Sequence, residues 1–192
     1  HHGYLYYDSK LFPERVHPHL MNRDLLTEQI KACHQRGIRV PVYITVQWDE
    51  YTAKEHPEWL AKDAEGRIKQ TRPFEAGFYN ELLLNSPYVD FLKAQTREVL
   101  ESMPVDGLFF DIVDVREDCS VWSIRGMQAL GMDPADHAQR MVYADQVCTN
   151  FKQEMTAFVR QFNQDCTIFY NAGNIGPTER PSMDAYSHFE LE

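Results

Sequence analysis

Gly107–Val113 reads GLFFDIV, an almost wholly apolar run bounded by Pro104 and Asp106 on one side and Asp114 on the other. A short run of this kind between turn-forming residues predicts a parallel strand covered on both faces, because each face must then be buried against helices. Asp111 breaks the run near its end. An ionised carboxylate there carries a large desolvation penalty unless it is paired or opens onto a water-filled pocket. If the sheet is a parallel barrel, the C-terminal end of a strand is the floor of that pocket. Two structural alternatives stand beside this reading: Asp111 caps a loop, or it forms an ion pair with a residue such as Arg116.

Working outward, strands and helices alternate. His2–Tyr7 (HGYLYY) looks extended. A helix is predicted over Asn22–Arg36, with Leu26, Ile30 and Cys33 in helical phase and Gly37 as its stop. Ile38–Trp48 is rich in β-branched residues and predicts a buried strand. Thr52 and Glu55 form a capping-box pattern that opens a short helix through Trp59. Ser86 and Pro87 open another that runs to Glu101. Downstream, Asp133 and Pro134 launch the longest helix, whose stripe of Met141, Ala144, Cys148, Phe151, Met155, Phe158 and Phe162 is read as core. TIFYN (Thr167–Asn171) and AYSHFELE (Ala185–Glu192) complete a set of five expected strands.

Strict alternation implies an α/β chain with a parallel sheet, either closed as a barrel or open and doubly wound. No GxGxxG or GxxxxGK[ST] loop follows any strand, so nothing is seen to cradle a nucleotide. Polar residues instead sit at the ends of successive strands, which favours the (β/α)₈ TIM barrel. An intact barrel needs about 250 residues and eight strands. Residues 1–192 are therefore expected to be one partial barrel domain, short at both ends relative to the whole fold. Its open edges and apolar interior favour a homo-oligomer.

Of the 192 residues, 43% are hydrophobic and 25% charged, as in an ordinary globular domain. The formal charge of −10 repels phosphate backbones and anionic headgroups, and no apolar run approaches the roughly 20 residues that span a bilayer. Nucleic acid and membrane are not expected partners. Cys33, Cys119, Cys148 and Cys166 show no CxxC pair or zinc spacing. They read as reduced thiols of a cytoplasmic protein. No metal or cofactor is expected.

The last expected strand places His188, Glu190 and Glu192 on one face and Phe189 and Leu191 on the other. With the apolar face toward helices, a carboxylate from this strand could face Asp111 across a sugar-sized cavity. Asn171 ends the neighbouring strand as a hydrogen-bond donor for a hydroxyl. His1 and His2 read either as the remnant of a purification tag or as native ligands for hydroxyls. Trp48, Trp59 and Tyr43 offer faces on which sugar rings stack, Trp48 being best placed at a strand end. Two carboxylates across a polar pocket are what glycoside hydrolysis needs, about 5 to 5.5 Å apart in retaining enzymes and about 6.5 to 9.5 Å in inverting ones. Linear spacing does not choose between them.

HHGYLYY, the HPHL of His17–Leu20, GIRVPVYITVQWDE, EHPEW, LNSPY and DGLFFDIV, in this order, resemble the glycoside hydrolase group found beside the α-L-fucosidases. In that group a TIM barrel is often followed by a β-galactosidase-type trimerisation domain. The resemblance implies that HHGYLYY is barrel strand two, although it lacks the aspartate of the fucosidase His-His-Asp-Gly-Phe motif, and it favours the native reading of His1 and His2. It implies that Asp111 ends strand four as the nucleophile, with Glu190 or Glu192 as acid/base. His1, His2, Trp48, Asn171 and His188 would then shape the sugar site of a carbohydrate substrate. Relatives carry several cysteines after strand four, where this chain keeps only Cys119. The expected activity of the full-length form is that of a retaining exo-glycosidase resembling α-L-fucosidase, which leaves open whether residues 1–192 are active alone. The alternatives are a non-catalytic carbohydrate-binding or structural remnant, and a β-galactosidase-like hydrolase, against which an aspartate at position 111 counts.

Overall fold

In the computed structural model, residues 2–70, 79–171 and 176–190 are described. Three parallel strands form the sheet: β1 (Pro41–Thr45), β2 (Gly107–Asp111) and β3 (Thr167–Asn171), paired in the order β1-β2-β3. The helices are α1 (Leu25–His34), α2 (Glu50–Glu55), α3 (Tyr88–Ser102), α4 (Val121–Ala129) and α5 (His137–Arg160). Because strand order follows chain order without reversal, right-handed crossovers carry the connecting helices to the same side of the sheet. A doubly wound sheet reverses its order at one point, and no reversal falls among these three strands.

Val42, Ile44, Leu108, Phe110, Ile168 and Tyr170 point to the helix side and join Leu92 and Val99 of α3 and Phe151, Met155 and Val159 of α5 in one core. Strand alternation sends Tyr43, Phe109 and Phe169 the other way, in one row of the ladder. Their rings touch in sequence, Tyr43 to Phe109 at 6.0 Å and Phe109 to Phe169 at 5.2 Å between centroids. Thr45, Asp111 and Asn171 form the next row, at the C-terminal ends of the strands.

Two of the five expected strands are not formed among the described residues. His2–Tyr7 keeps a buried and exposed alternation, yet its only ladder contact is one parallel bridge from Leu5 to Val16. His2 and Gly3 both have positive φ, 51° and 88°, and a Cβ on Gly3 would lie 2.0 Å from Asp49 Oδ1. The start of the segment is thus turned onto α2, and no ladder to β1 forms among the described residues. At the other end, Pro177–Ala185 winds into a 3₁₀ helix. Ser187 N donates to Ile168 O at 2.9 Å as a strand would, but Ile168 N donates to the Ser187 hydroxyl at 2.7 Å where a ladder would offer a carbonyl. The ladder stops there. Leu191 and Glu192 lie outside the described residues.

Helix ends also move. Asp49, not Thr52, caps α2, its carboxylate accepting from Thr52 N at 2.8 Å and Thr52 Oγ1 at 2.7 Å. That helix ends at Glu55, and Pro57, which has no N–H to continue it, begins a separate 3₁₀ turn through Trp59. Asp136, accepting from Ala138 N, caps α5, three residues later than Asp133. The Ser120-capped helix α4 has no counterpart among the helices expected from periodicity.

Candidate active site

Asp111 lies on the sheet face opposite the core, at the end of the central strand. Its Oδ2 accepts from the Tyr43 hydroxyl at 2.6 Å and its Oδ1 from Asn171 Nδ2 at 2.9 Å. Tyr43 stands two residues before Thr45 on the same face, so its long side chain climbs from the aromatic row to reach the carboxylate. Burial, then the hydrogen bond to Asp111 and its negative charge, push the Tyr43 phenol well above its ordinary value. The phenol therefore stays a donor. The ion pair considered for Asp111 does not form: Arg116 pairs instead with Glu81 at 3.5 Å and Asp114 at 3.4 Å.

Ile112, next in the chain, has φ of 59°. The left-handed region costs a side chain of this kind about 1–2 kcal/mol, and such strain persists only where neighbours hold it. Here Gln47 N donates to Ile112 O at 3.2 Å, and Val113 N to Asn171 O at 2.8 Å. Both adjoining backbones thus hold the kink directly after Asp111.

An open cleft of about 510 Å³ is lined by Pro41, Tyr43, Phe109, Asp111, Ile112 and Asn171. A second cavity, of about 240 Å³, lies between Gly3–Tyr7 and β1 and shares Tyr43 as a wall. It also contains Asp49, but that carboxylate is committed to the α2 cap and to Arg15, whose Nη1 is 3.2 Å away. Of these two cavities, the one whose carboxylate is in no ion pair is the Asp111 cleft.

The other expected site residues fall into two groups. Tyr79 stacks between Trp48, at 4.4 Å, and His2, at 4.8 Å. This joins the strand-end tryptophan to the N-terminal histidine through a tyrosine that sequence reasoning missed. His188 packs against Phe169 at 5.8 Å, and its Nε2 is 2.9 Å from Glu190 Oε1, so these two share a side as the alternation predicts. Glu190 is thus bonded to His188, whereas Asp111 is bonded to Tyr43 and Asn171. His1 and Glu192 lie outside the described residues. Trp59 stacks on His56 at 3.7 Å, away from the cleft-lining set.

Among the described residues no group of three or more His, Cys, Asp or Glu is arranged to hold a metal, and no helix is long and apolar enough to cross a membrane. None of the four cysteines is in a disulfide, and burial pushes the Cys166 thiol up to about 11.

The family model described as hypothetical glycosyl hydrolase 6 matches residues 1–112, more than half of the chain and up to the residue after Asp111. The chain belongs to this glycosyl hydrolase family. Among solved structures it is similar to α-L-fucosidase isoenzyme 2 from Paenibacillus thiaminolyticus, with 33% identity and a TM-score of 0.86 over 97% of this chain and 28% of that one. The glycosyl hydrolase group to which the chain belongs is therefore one related to fucosidases. The α-galactosidase from Lactobacillus brevis matches at 17% identity and a TM-score of 0.57, over 84% of this chain and 20% of that one. An α-N-acetylgalactosaminidase from Bifidobacterium bifidum matches at 14% and 0.55, over 82% and 23%. These last two share the fold only. The chain spans under a third of the length of each of these enzymes. No curated protein matches.

Proposed function

We propose that the protein containing this chain is a retaining exo-glycosidase with α-L-fucosidase-like specificity, and that the three strands are part of a (β/α)₈ barrel. Asp111 is its nucleophile, and Glu190 or Glu192 its general acid/base. His1, His2, Trp48, Asn171 and His188 shape the sugar site. One observation carries the reading. The Asp111 carboxylate ends the central parallel strand inside an open cleft, held by two neutral donors and, among the described residues, by no cation. A carboxylate so held is fixed in position and not tied into an ion pair, as attack on an anomeric carbon requires. The cleft at the strand ends and the unreversed strand order support the barrel.

The test is Asp111→Gly in the complete protein, assayed on aryl fucosides and galactosides. Turnover is expected to fall by about 10³-fold or more, by analogy with loss of other catalytic nucleophiles. Added azide should restore release of the aryl group by occupying the vacated position. Undiminished turnover would remove Asp111 from the reaction.

A further inference from the structure

We propose that Tyr43 is a positioning residue that acts on the second half of the reaction, helping Asp111 leave the sugar. The inference rests on the reading of Asp111 as nucleophile.

In the first step an Asp111 oxygen bonds the anomeric carbon as the glycosidic C–O bond breaks. The bonding pair goes to the leaving oxygen, which takes a proton from the general acid. Asp111 has then exchanged its charge for a neutral ester. In the second step a water oxygen bonds the anomeric carbon and gives its proton to the same group, now a base. The bond to Asp111 breaks and its electron pair returns to the carboxylate. No other reactant is needed.

Tyr43 keeps its proton throughout. Its hydroxyl is 2.6 Å from Asp111 Oδ2, its ring stacks on Phe109, and partial burial together with the neighbouring carboxylate holds the phenol protonated. A hydrogen bond to an ionised oxygen is roughly twice as strong as one to a neutral oxygen. The Tyr43 bond therefore weakens as the ester forms and tightens as the carboxylate is released. The returning charge is shared over both oxygens, so a donor on either is felt. Such a donor favours the second step and does not favour the first. Asn171 completes the cradle at 2.9 Å on the other oxygen, in the same ladder row.

The experiment compares Tyr43→Phe with the parent in the complete protein, using an aryl fucoside with a good leaving group or whichever aryl glycoside the parent hydrolyses. Phenylalanine keeps the ring and removes only the hydroxyl. Loss of one hydrogen bond to a charged group should lower kcat about ten- to a hundredfold. KM should fall with it, leaving kcat/KM within about threefold of the parent. A burst of phenol approaching one equivalent per site should precede steady state, and intact mass should show a glycosyl adduct on the variant.

A kcat/KM that falls as far as kcat, without a burst, would overturn the proposal, as would unchanged kinetics. Asp111→Gly in parallel separates the two ideas. If that variant stays active, or the parent hydrolyses no aryl glycoside, the nucleophile reading falls and this inference with it. If it is inactive and azide-rescued while Tyr43→Phe shows no burst, only the role of Tyr43 falls.

Discussion

Ile112 carries the strain that lets Asp111 end its strand facing the cleft, and this gives a stability test that needs no substrate. Asparagine tolerates the left-handed region, whereas valine is branched like isoleucine and brings no relief. Relief of about 1–2 kcal/mol should offset the apolar burial that asparagine forgoes at this half-buried position. Ile112→Asn is therefore expected to be as stable as the parent or about 1 kcal/mol more stable in urea unfolding, with Ile112→Val about 0.5–1 kcal/mol less stable. An asparagine variant weaker than the valine variant would refute strain at this position. At this scale the sequence was informative about one member of the site. Asp111 stood out because a charge inside an apolar strand demands a physical explanation. Tyr43 was legible as an aromatic ring but not as the partner of Asp111, because that pairing depends on the register Thr45 to Asp111 across two strands 66 residues apart. Tyr79 gave no signal, since nothing in local periodicity brings it between Trp48 and His2.

Between elements, buried polar groups tie the irregular N-terminal segment to the helices. Glu98 of α3 accepts from Tyr7 Oη, Ser9 Oγ, Lys10 N and Leu11 N at 2.6 to 2.9 Å. Burial alone would raise its carboxyl, but the hydrogen bonds from Ser9, Leu11, Lys10 and Tyr7 outweigh it and hold the group below its usual value of 4.5. A folded-state pKa below the unfolded one means that the ionised form is favoured by folding. The contribution is complete above the unfolded value and is lost as pH falls through the folded one. Glu98→Ala strands four donors and should cost about 3 kcal/mol or more, while Glu98→Gln retains an acceptor and should cost about 1 kcal/mol. Denaturant unfolding at pH 7 and again below pH 4 should show the gap between parent and Gln variant shrinking in acid. A gap that widens instead would mean that the carboxylate is not favoured by folding. Arg15 works beside it, bonded to Asp49, Thr52 and Glu55 and lying over the rings of Tyr51 and Phe91. These contacts explain why the first expected strand is a turned strap. Its extended pattern was readable, but what decides its partner is Gly3 against Asp49 and Glu98 beneath Tyr7, all distant in sequence. The long helices were legible to within a few residues because their apolar stripes are local. Their caps shifted because several acidic residues were equally suitable on composition alone.

For the whole chain, the decisive property is that one side of the sheet is packed throughout and the other only at its β3 end. Apolar strand runs alternating with helices made the parallel sheet readable, and the absence of a nucleotide loop favoured a barrel over a doubly wound sheet; the three strands, in chain order, contain no reversal. The count of five strands failed because an apolar-polar alternation specifies an extended backbone, not a neighbour to pair with. The aromatic row of that face is covered at Phe169, where Tyr186 and His188 pack, and open at Tyr43, which is 44% exposed. Exposed apolar surface beside open strand edges is strongly driven to find a cover. A formal charge of −10 opposes association at long range but is screened within about 10 Å at 0.1 M salt. The 192-residue chain made by itself is therefore expected to self-associate at micromolar concentration, more readily as salt rises. Light scattering coupled to size exclusion should give a mass of at least twice 22.5 kDa in 0.3 M salt. Tyr43→Lys, which places a charge at the exposed end of the open row, should shift the population back toward monomer. A parent chain that stays monomeric at every salt concentration would mean that this face is covered by the chain's own segments.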